Sequence, residues 1–451
     1  GGVHPHDMKA ATNEKAIEQL APPAVVVIPM SMHFGAPCTP LVKAGDHVKV
    51  GQKIGEFHGL GAPIHASVSG TVKAVEPRPY SMGGNITSVV IENDMQDEVS
   101  EEVQAPADPN ALSVEEMVEI VKNAGIVGMG GATFPTHVKI TSGIGKVNTV
   151  IINGAECEPY ITGDHRTMLE RPEEIIGGAK FLAKMFGVDK VVIGVEDNKR
   201  NGIDAMNKVI AEQKAPVVVE PLRCRYPQGG EKQLCQAITG RQVPPGGLPA
   251  DIGCAVFNIN TTCAIYRALT TGMPVVRKIV TVSGSGVVEP KNLECPIGTP
   301  VSSLLDACGG LKDGTYKLIA GGPMMGMAQY TADISVAKGT GAILAFCENE
   351  EKTVENPQCI RCGKCVSVCP MHLEPLFMYQ YASKGMVEEL NDAHIMDCME
   401  CGACSYICPA RMHLTHMFKT GKQLVKDKAA ADRAAAEAKK KAEEAKEAAA
   451  K

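Results

Sequence analysis

The chain has no tryptophan, and Phe, Tyr and Trp together make up only 4% of its 451 residues. Its cores must therefore be built from Val, Ile, Ala and Met. No apolar run approaches the roughly 18 residues a membrane helix needs. The longest, such as AVVVIPM at 24–30, are strand-sized, so any membrane association must come through partners. Strong charge of one sign is lacking as well. The formal net charge is −6 with acids and bases mixed, which argues against a nucleic-acid partner and the basic face it requires. The opening GGVHPHDMKA has neither the basic start nor the apolar core of a secretory signal, so disulfides, which need an oxidising compartment, are not expected. A chain of this length has room for several domains at roughly 100 to 200 residues each.

What it does have is cysteine, 17 in all. Cys359, Cys362, Cys365 and Cys369 run as C-x-x-C-x-x-C-x-x-x-C-P, and the same spacing returns at Cys398, Cys401, Cys404 and Cys408. Three thiolates two residues apart wrap one corner of a cubane, while the fourth, set off by the wider gap and the proline, usually ligates the other cluster. Two 4Fe-4S clusters are expected on this pattern, one on Cys359, Cys362, Cys365 and Cys408, the other on Cys398, Cys401, Cys404 and Cys369. Structural zinc calls for separated C-x-x-C pairs, and a third cysteine two residues on has no place in its tetrahedron. Cys38, Cys157, Cys224, Cys235, Cys254, Cys263, Cys295, Cys308 and Cys347 lack ligand spacing and read as buried small hydrophobes.

After an extension over 1–23, residues 24–95 are short β-rich runs broken by glycines, an all-β unit. Its pattern resembles the barrel-sandwich hybrid of biotinyl and lipoyl domains, but FHGLGAPIHA stands where those carriers display a lysine. We expect a scaffold copy without a swinging arm. His4, His6, His33, His47, His58 and His65 form no compact ligand pair and read as solvated or hydrogen-bonded. A charged linker follows. Ser113 then caps a helix whose apolar stripe is Met117, Ile120, Val121 and Ala124.

That helix ends at Gly125 and runs into GIVGMGGATFPTHVK at 125–139. A glycine cluster lets backbone amides approach a phosphate or a flat ring. The loop is no Rossmann fingerprint, since it follows a helix and has Thr133 where the last glycine belongs. Strands and helices then alternate to 274, giving a parallel α/β sheet over 110–274 with a ligand site beyond its strand ends. Those ends carry Asn153, Glu156 and Glu158; Glu196, Asp197 and Asn198; and Tyr226, Gly229, Gly230 and Glu231. Residues 275–338 read as a soluble-ligand-binding, β-grasp-like module with one helix, and 340–420 as an α-helical two-cluster ferredoxin domain. Residues 421–451 form an Ala, Lys and Glu tail with Glu437–Lys441 and Glu447–Lys451 at pairing distance. The fold class is thus multidomain, α/β plus small β modules.

The motifs GMGGATFPTHVK, NGAECEPYITGDHR, YPQGGEK and NINTTCA, with both cysteine runs, resemble the C subunits of the Rnf complex, a membrane assembly coupling ferredoxin and NAD to ion transport. The likeness spans nearly the whole chain in order. The middle domain is similar to the FMN- and NADH-binding subunit of respiratory complex I. That resemblance implies an FMN set of Gly128, Gly130, Gly131, Lys139, Asn153, Glu156, Tyr226, Gly229, Gly230, Asn258 and Thr262. It implies Phe134, Glu158 and Glu231 toward NAD(H). Met129 replaces the complex I arginine, and Thr141 and Ser142 stand where complex I has a second aromatic. The implied partners are the ferredoxin-like B subunit, the membrane subunits and, indirectly, ferredoxin. The implied place is the cytoplasmic face of the membrane. Rival readings are a diaphorase subunit of a soluble hydrogenase or formate dehydrogenase, and a cluster-only wiring adaptor.

Overall fold

Four short apolar runs, three of them rich in β-branched residues, pair side by side, all parallel, in the order Val217–Leu222, Val191–Glu196, Thr149–Gly154, Cys254–Asn258. Helices cover this sheet, as parallel sheets require, and Pro172–Phe186 is the most apolar of them. It starts on Pro172, buries Ile175, Ile176, Ala179 and Leu182, and stops at Gly187 in a left-handed C-cap, the sequence signal for both ends. The sheet register sets Asn258 directly beside Asn153 at the carboxyl ends of neighbouring strands. The helix Val114–Asn123 has the expected serine cap, completed as a capping box by Glu116, and buries Met117 and Val121.

The computed structural model describes residues 1–348 and 354–449. It divides into two units, one of residues 5–351 and the other of residues 1–4 with 352–451. In the first, the β-rich start of the chain forms two small sheets. Val25–Pro29, Asn85–Asn93, Gly70–Pro79 and His47–Val48 make an antiparallel four-stranded sheet, and Thr39–Pro40, Lys53–Glu56 and Ile64–His65 make the other. His33 and His65 are buried here; His33 is hydrogen-bonded to the Ala36 carbonyl, and His65 lies in the strand Ile64–His65, so the hydrogen-bonded alternative, not solvation, describes His33. Burial, with Lys338 nearby, pushes the His65 imidazole down to about 3.

A mixed six-stranded sheet builds the third module, in the order Glu18–Gln19, Lys291–Pro296, Arg277–Ser283, Ala342–Cys347, Thr315–Ala320, Met327–Gln329. Two expectations change here. The boundary at 340 falls inside this sheet, since Ala342–Cys347 pairs with both Arg277–Ser283 and Thr315–Ala320. The extension over 1–23 is part of the fold, because Glu18–Gln19 adds an edge strand. Of the nine scattered cysteines, Cys157 and Cys347 are half-buried and Cys224 is exposed, so three of them are not core residues.

The second unit is helical among its described residues, with Lys364–Val368, Pro375–Ser383, Val387–Asp392, Ala403–Ile407 and the long Leu414–Ala449. The last is one helix, not a separate tail. Leu414, Phe418 and Val425 anchor it in the core of this unit, and 426–441 are exposed throughout. The expected Glu447–Lys451 pair ends on a residue outside those described. At the other end of the chain, the Gly2 N–H donates to the Val368 carbonyl at 2.7 Å.

One buried side chain joins the pieces of the larger unit. Lys338, 1% exposed, donates from Nζ to the carbonyls of Pro63 and Gly125, both at 2.7 Å. It thereby ties the barrel-sandwich to the start of the glycine loop. Burial pushes its amine down to about 7. Lys338→Ala strips both carbonyls of their donor, and an unmade buried hydrogen bond costs about 1–3 kcal/mol. We therefore expect a loss of about 3 kcal/mol in urea unfolding followed by circular dichroism, and a loss under about 0.5 kcal/mol would show that water replaces the amine.

Candidate functional site: a glycine loop and two cysteine-lined cavities

The glycine loop folds back on itself. The Gly128 N–H donates to the Phe134 carbonyl at 2.9 Å and the Thr133 N–H to the Gly128 carbonyl at 3.0 Å, leaving Gly130 and Gly131 at an exposed tip. Gly131 takes φ +114° with open space where a side chain would stand, whereas a Cβ on Gly130 would meet Asn258 at 3.4 Å. The loop is pinned from behind. The Met129 N–H donates to Thr261 Oγ1 at 2.9 Å, and buried Lys278 donates to the Met129 carbonyl at 2.9 Å.

The expected residues do not all face one place. Asn153 and Asn258 do stand together, Asn153 Nδ2 donating to the Gly229 carbonyl at 2.8 Å and Asn258 Nδ2 to Asp164 at 2.7 Å. Asn258 also caps the helix Ile259–Thr271. A Cβ on Gly229 would come within 3.5 Å of Cys157 and Asn153, so the backbone there lies close against both side chains. Gly230 caps the helix Glu231–Thr239. Lys139 donates to Glu231 Oε1 and to the Val256 carbonyl, each at 2.9 Å, an ion pair left partly exposed. Tyr226 is buried.

Thr262 is turned into the helix packing. It is fully buried, and its hydroxyl donates back to the Asn258 carbonyl at 3.0 Å. One position round the helix, Thr261 is the residue that holds the loop. Glu156 is likewise turned inward, its carboxylate accepting the N–H of Asp164 at 2.6 Å and of His165 at 3.2 Å at the start of the helix Gly163–Glu170. Glu158 accepts the N–H of Met324 and Met325 at 3.1 and 2.9 Å, which joins it to the GGPMMG turn of the third module. Glu196 and Asp197 brace the next loop by accepting the N–H of Arg225 and Cys224.

Sequence reasoning passed over the bases behind these acids. Lys9 donates to the carbonyls of Glu156 and Glu158 at 2.9 and 3.0 Å and to that of Ile161. Lys199 donates to the Ala155 carbonyl at 2.7 Å. Asp164, inside the NGAECEPYITGDHR motif, accepts from Asn258 and Asn260, and burial followed by the Glu156 charge pushes it up to about 6. Its place in the motif was the available signal. The lysines, distant in sequence, gave none.

In the other unit the cysteines surround two cavities. Cys359, Cys362, Cys365 and Cys408 line one. Cys369, Cys398, Cys401 and Cys404 line the other. Each set takes three cysteines from one run and the last from the other. Among the described residues no three His, Cys, Asp or Glu side chains converge on a single ion; the thiols stand around a larger space, which suits a cubane better than a zinc ion. Backbone turns repeat between the runs. Gly363 and Gly402 are left-handed and open the short helices that turn the third cysteine inward. The N–H of Arg361 and of Glu400 donates to the sulfurs of Cys359 and Cys398, each at 3.4 Å.

Four family models match in succession: the RnfC barrel sandwich hybrid domain over 1–96, the Nuo51 FMN-binding domain over 121–267, the SLBB domain over 279–328 and a 4Fe-4S dicluster domain over 351–409. The C subunit of the Na(+)-translocating ferredoxin:NAD(+) oxidoreductase complex of Acetobacterium woodii is 45% identical, covering 88% of this chain and 90% of its own length. The chain belongs to the RnfC family. The proton-translocating counterpart from Clostridium ljungdahlii is 43% identical over 87% of this chain and 86% of its own. Among solved structures, an NAD+-reducing NiFe-hydrogenase is similar at 18% identity and TM-score 0.49, covering 70% of this chain and 63% of that one. Like the rest of its family, the chain is an electron-transfer oxidoreductase subunit, with FMN and 4Fe-4S clusters as its redox groups. No helix among the described residues is long and apolar enough to cross a membrane.

Two expectations follow. Cys408→Ser should remove the cluster of the Cys359 run although Cys408 belongs to the second run, so iron falls from about eight to about four per chain and one of two electron paramagnetic resonance (EPR) signals goes. Loss of the signal that Cys398→Ser also abolishes would instead assign Cys408 to its own run. Glu158, pushed up to about 7 by burial, holds its proton more tightly folded than unfolded. Its contribution is complete below the ordinary carboxyl range and is lost as pH rises through about 7. Glu158→Gln should therefore gain on the parent in urea midpoint from about pH 5 to about pH 8, and a constant offset would contradict this.

Proposed function

We propose that this chain is the NAD(H)-facing electron-transfer subunit of an Rnf-type complex, exchanging hydride between NADH and FMN and passing single electrons through its two clusters. Partner subunits, among them a ferredoxin-like B subunit and the membrane subunits, link it to ferredoxin and to Na+ or H+ transport. Its place is peripheral, on the cytoplasmic face of the membrane. The observation that carries this reading is the presence, in one chain, of a flavin-type glycine loop beside paired asparagines and of two cavities ringed by four cysteines each.

FMN, when bound, supplies the exchange between a two-electron hydride and single electrons. The chain's own residues bind and orient. Gly128, Gly130 and Gly131 offer backbone without side chains, so a flat ring or a phosphate can lie close. Asn153 and Asn258 satisfy polar atoms of the ligand, and Lys139 presents a cation suited to an anionic one. Gly229 and Gly230 bring a helix start to the same strand ends. Phe134, in the loop, and Glu231, which opens the helix after Gly230 and pairs with Lys139, are the residues this reading gives to the nicotinamide nucleotide. Glu158, the third residue assigned to NAD(H), has its carboxylate held by the Met324 and Met325 amides.

Anaerobically purified, FMN-reconstituted protein tests the proposal. NADH should bleach the flavin and then raise cluster EPR signals. Bound flavin that NADH leaves oxidised, while dithionite still reduces the clusters, would make the chain a wire and overturn the reading.

A further inference from the structure

Complex I has a second aromatic after its loop lysine, and Thr141 and Ser142 occupy that stretch here. The structure supplies an aromatic from elsewhere. Phe34, in the barrel-sandwich module, lies with its ring centroid 6.0 Å from that of Phe134, the planes tilted by 35°. Its backbone N–H donates to the Thr133 carbonyl at 3.0 Å, so the main chain that presents Phe34 is bonded to the glycine loop itself.

The presenting segment is held on every side. Met32 and His33 are buried, and His33 Nε2 is bonded to the Ala36 carbonyl at 2.9 Å. Gly35 takes φ +135° against the Leu60 carbonyl, with no room for a side chain. Leu60 belongs to FHGLGAPIHA, the stretch that stands where carrier domains display their lysine. That stretch is fixed in turn. The Phe57 ring lies 5.9 Å from His137 on the helix after the glycine loop, and Lys338 ties Pro63 to Gly125. Yet the Phe34 ring is 60% exposed. Scattered exposed hydrophobics are ordinary, but this one is paired with a second ring and bonded through its backbone to the glycine loop.

We propose that Phe34 is a specificity-determining residue of the nucleotide site, extending the aromatic face of Phe134 outward so that the adenine base of the dinucleotide stacks on it. This rests on the reading that the loop takes NAD(H). A dinucleotide is long enough for its adenine to lie apart from its nicotinamide, and the exposed Phe34 ring beside Phe134 offers that base an aromatic face next to the loop. The barrel-sandwich module then acts as a wall of the site.

ADP-ribose, which carries the adenine end and no nicotinamide, is the probe. Its binding to the FMN- and cluster-loaded full chain is measured by calorimetry, with FMN content as the check on folding. Removing one stacking partner of a base weakens binding by about tenfold or more. Phe34→Ala should therefore raise the ADP-ribose Kd by about tenfold, and Phe34→Trp should stay near the parent. An unchanged Kd in Phe34→Ala, equal weakening in both variants, or no ADP-ribose binding by the parent overturns the proposal. If NADH fails to reduce the flavin while ADP-ribose binds in a Phe34-dependent way, the functional reading falls and this one stands. If NADH reduces it and Phe34→Ala binds ADP-ribose as the parent does, the reverse holds.

Discussion

The glycine loop and the loops at the strand ends depend on buried lysines that bind main-chain carbonyls. Lys338 holds Gly125, Lys278 holds Met129, Lys199 holds Ala155, and Lys9 holds Glu156, Glu158 and Ile161. All four are at most 4% exposed. A loop shaped for a ligand must present its N–H groups to it, and its carbonyls then need donors on the far side, where water is excluded. A lysine amine reaches in on a long stem and can serve several carbonyls at once, two for Lys338 and three for Lys9. Burial is the first cause lowering the amines of Lys9, Lys278 and Lys338, so each is costly to place. It persists because leaving the carbonyls bare would cost more.

The acids beside these lysines follow the same logic. Lys9 stands 4.0 Å from Glu156, and Lys199 stands 3.4 Å from Glu196 with both nearly inaccessible. Glu156 and Glu196 are pushed up, burial being the first cause in each. Such pairs add little net stability, yet removing one partner leaves an uncompensated charge. Their use here is geometric: Glu156 caps a helix, Glu196 fixes Arg225, and together they set the turns that bring Asn153, Gly229 and Asn258 to one edge. Residues that a motif marks as ligand-binding can thus be the residues that hold the ligand-binding backbone still.

This explains what was readable in the sequence. Period and punctuation gave the α/β sheet, the Ser113 cap and the Pro172 start, because these are set within one element. The cysteine runs gave their own grouping, because spacing and the proline decide which thiol turns away. Lys9, Phe34, Lys278 and Lys338 were invisible for the opposite reason: each acts on a loop far from it in the chain, and only tertiary packing brings it there. It is Thr261 that braces the glycine loop, about 100° round the helix from Thr262, and a pair of adjacent threonines carries no signal as to which one faces the loop. The boundary at 340 failed because Ala342–Cys347 is a strand of the preceding sheet, which a linear reading assigns to whatever follows.

The two cysteine runs show the converse, a sequence repeat that is not a structural equivalence. Their turns match residue for residue, with Arg361 and Glu400, Gly363 and Gly402, and His372 and Arg411 all left-handed. Their surroundings differ. Cys359 and Cys362 are exposed, whereas Cys401 and Cys404 are buried. The Cys398 turn is further bound by Lys422 of the long helix, which pairs with Glu400 at 2.8 Å. Solvent exposure and nearby charge are among the levers that set a cluster's potential when the ligands are the same. A repeated run lying half on the surface and half under a helix therefore gives two chemically identical ligand sets unequal environments. That inequality is what a chain needs if its two clusters are to be successive steps rather than duplicates.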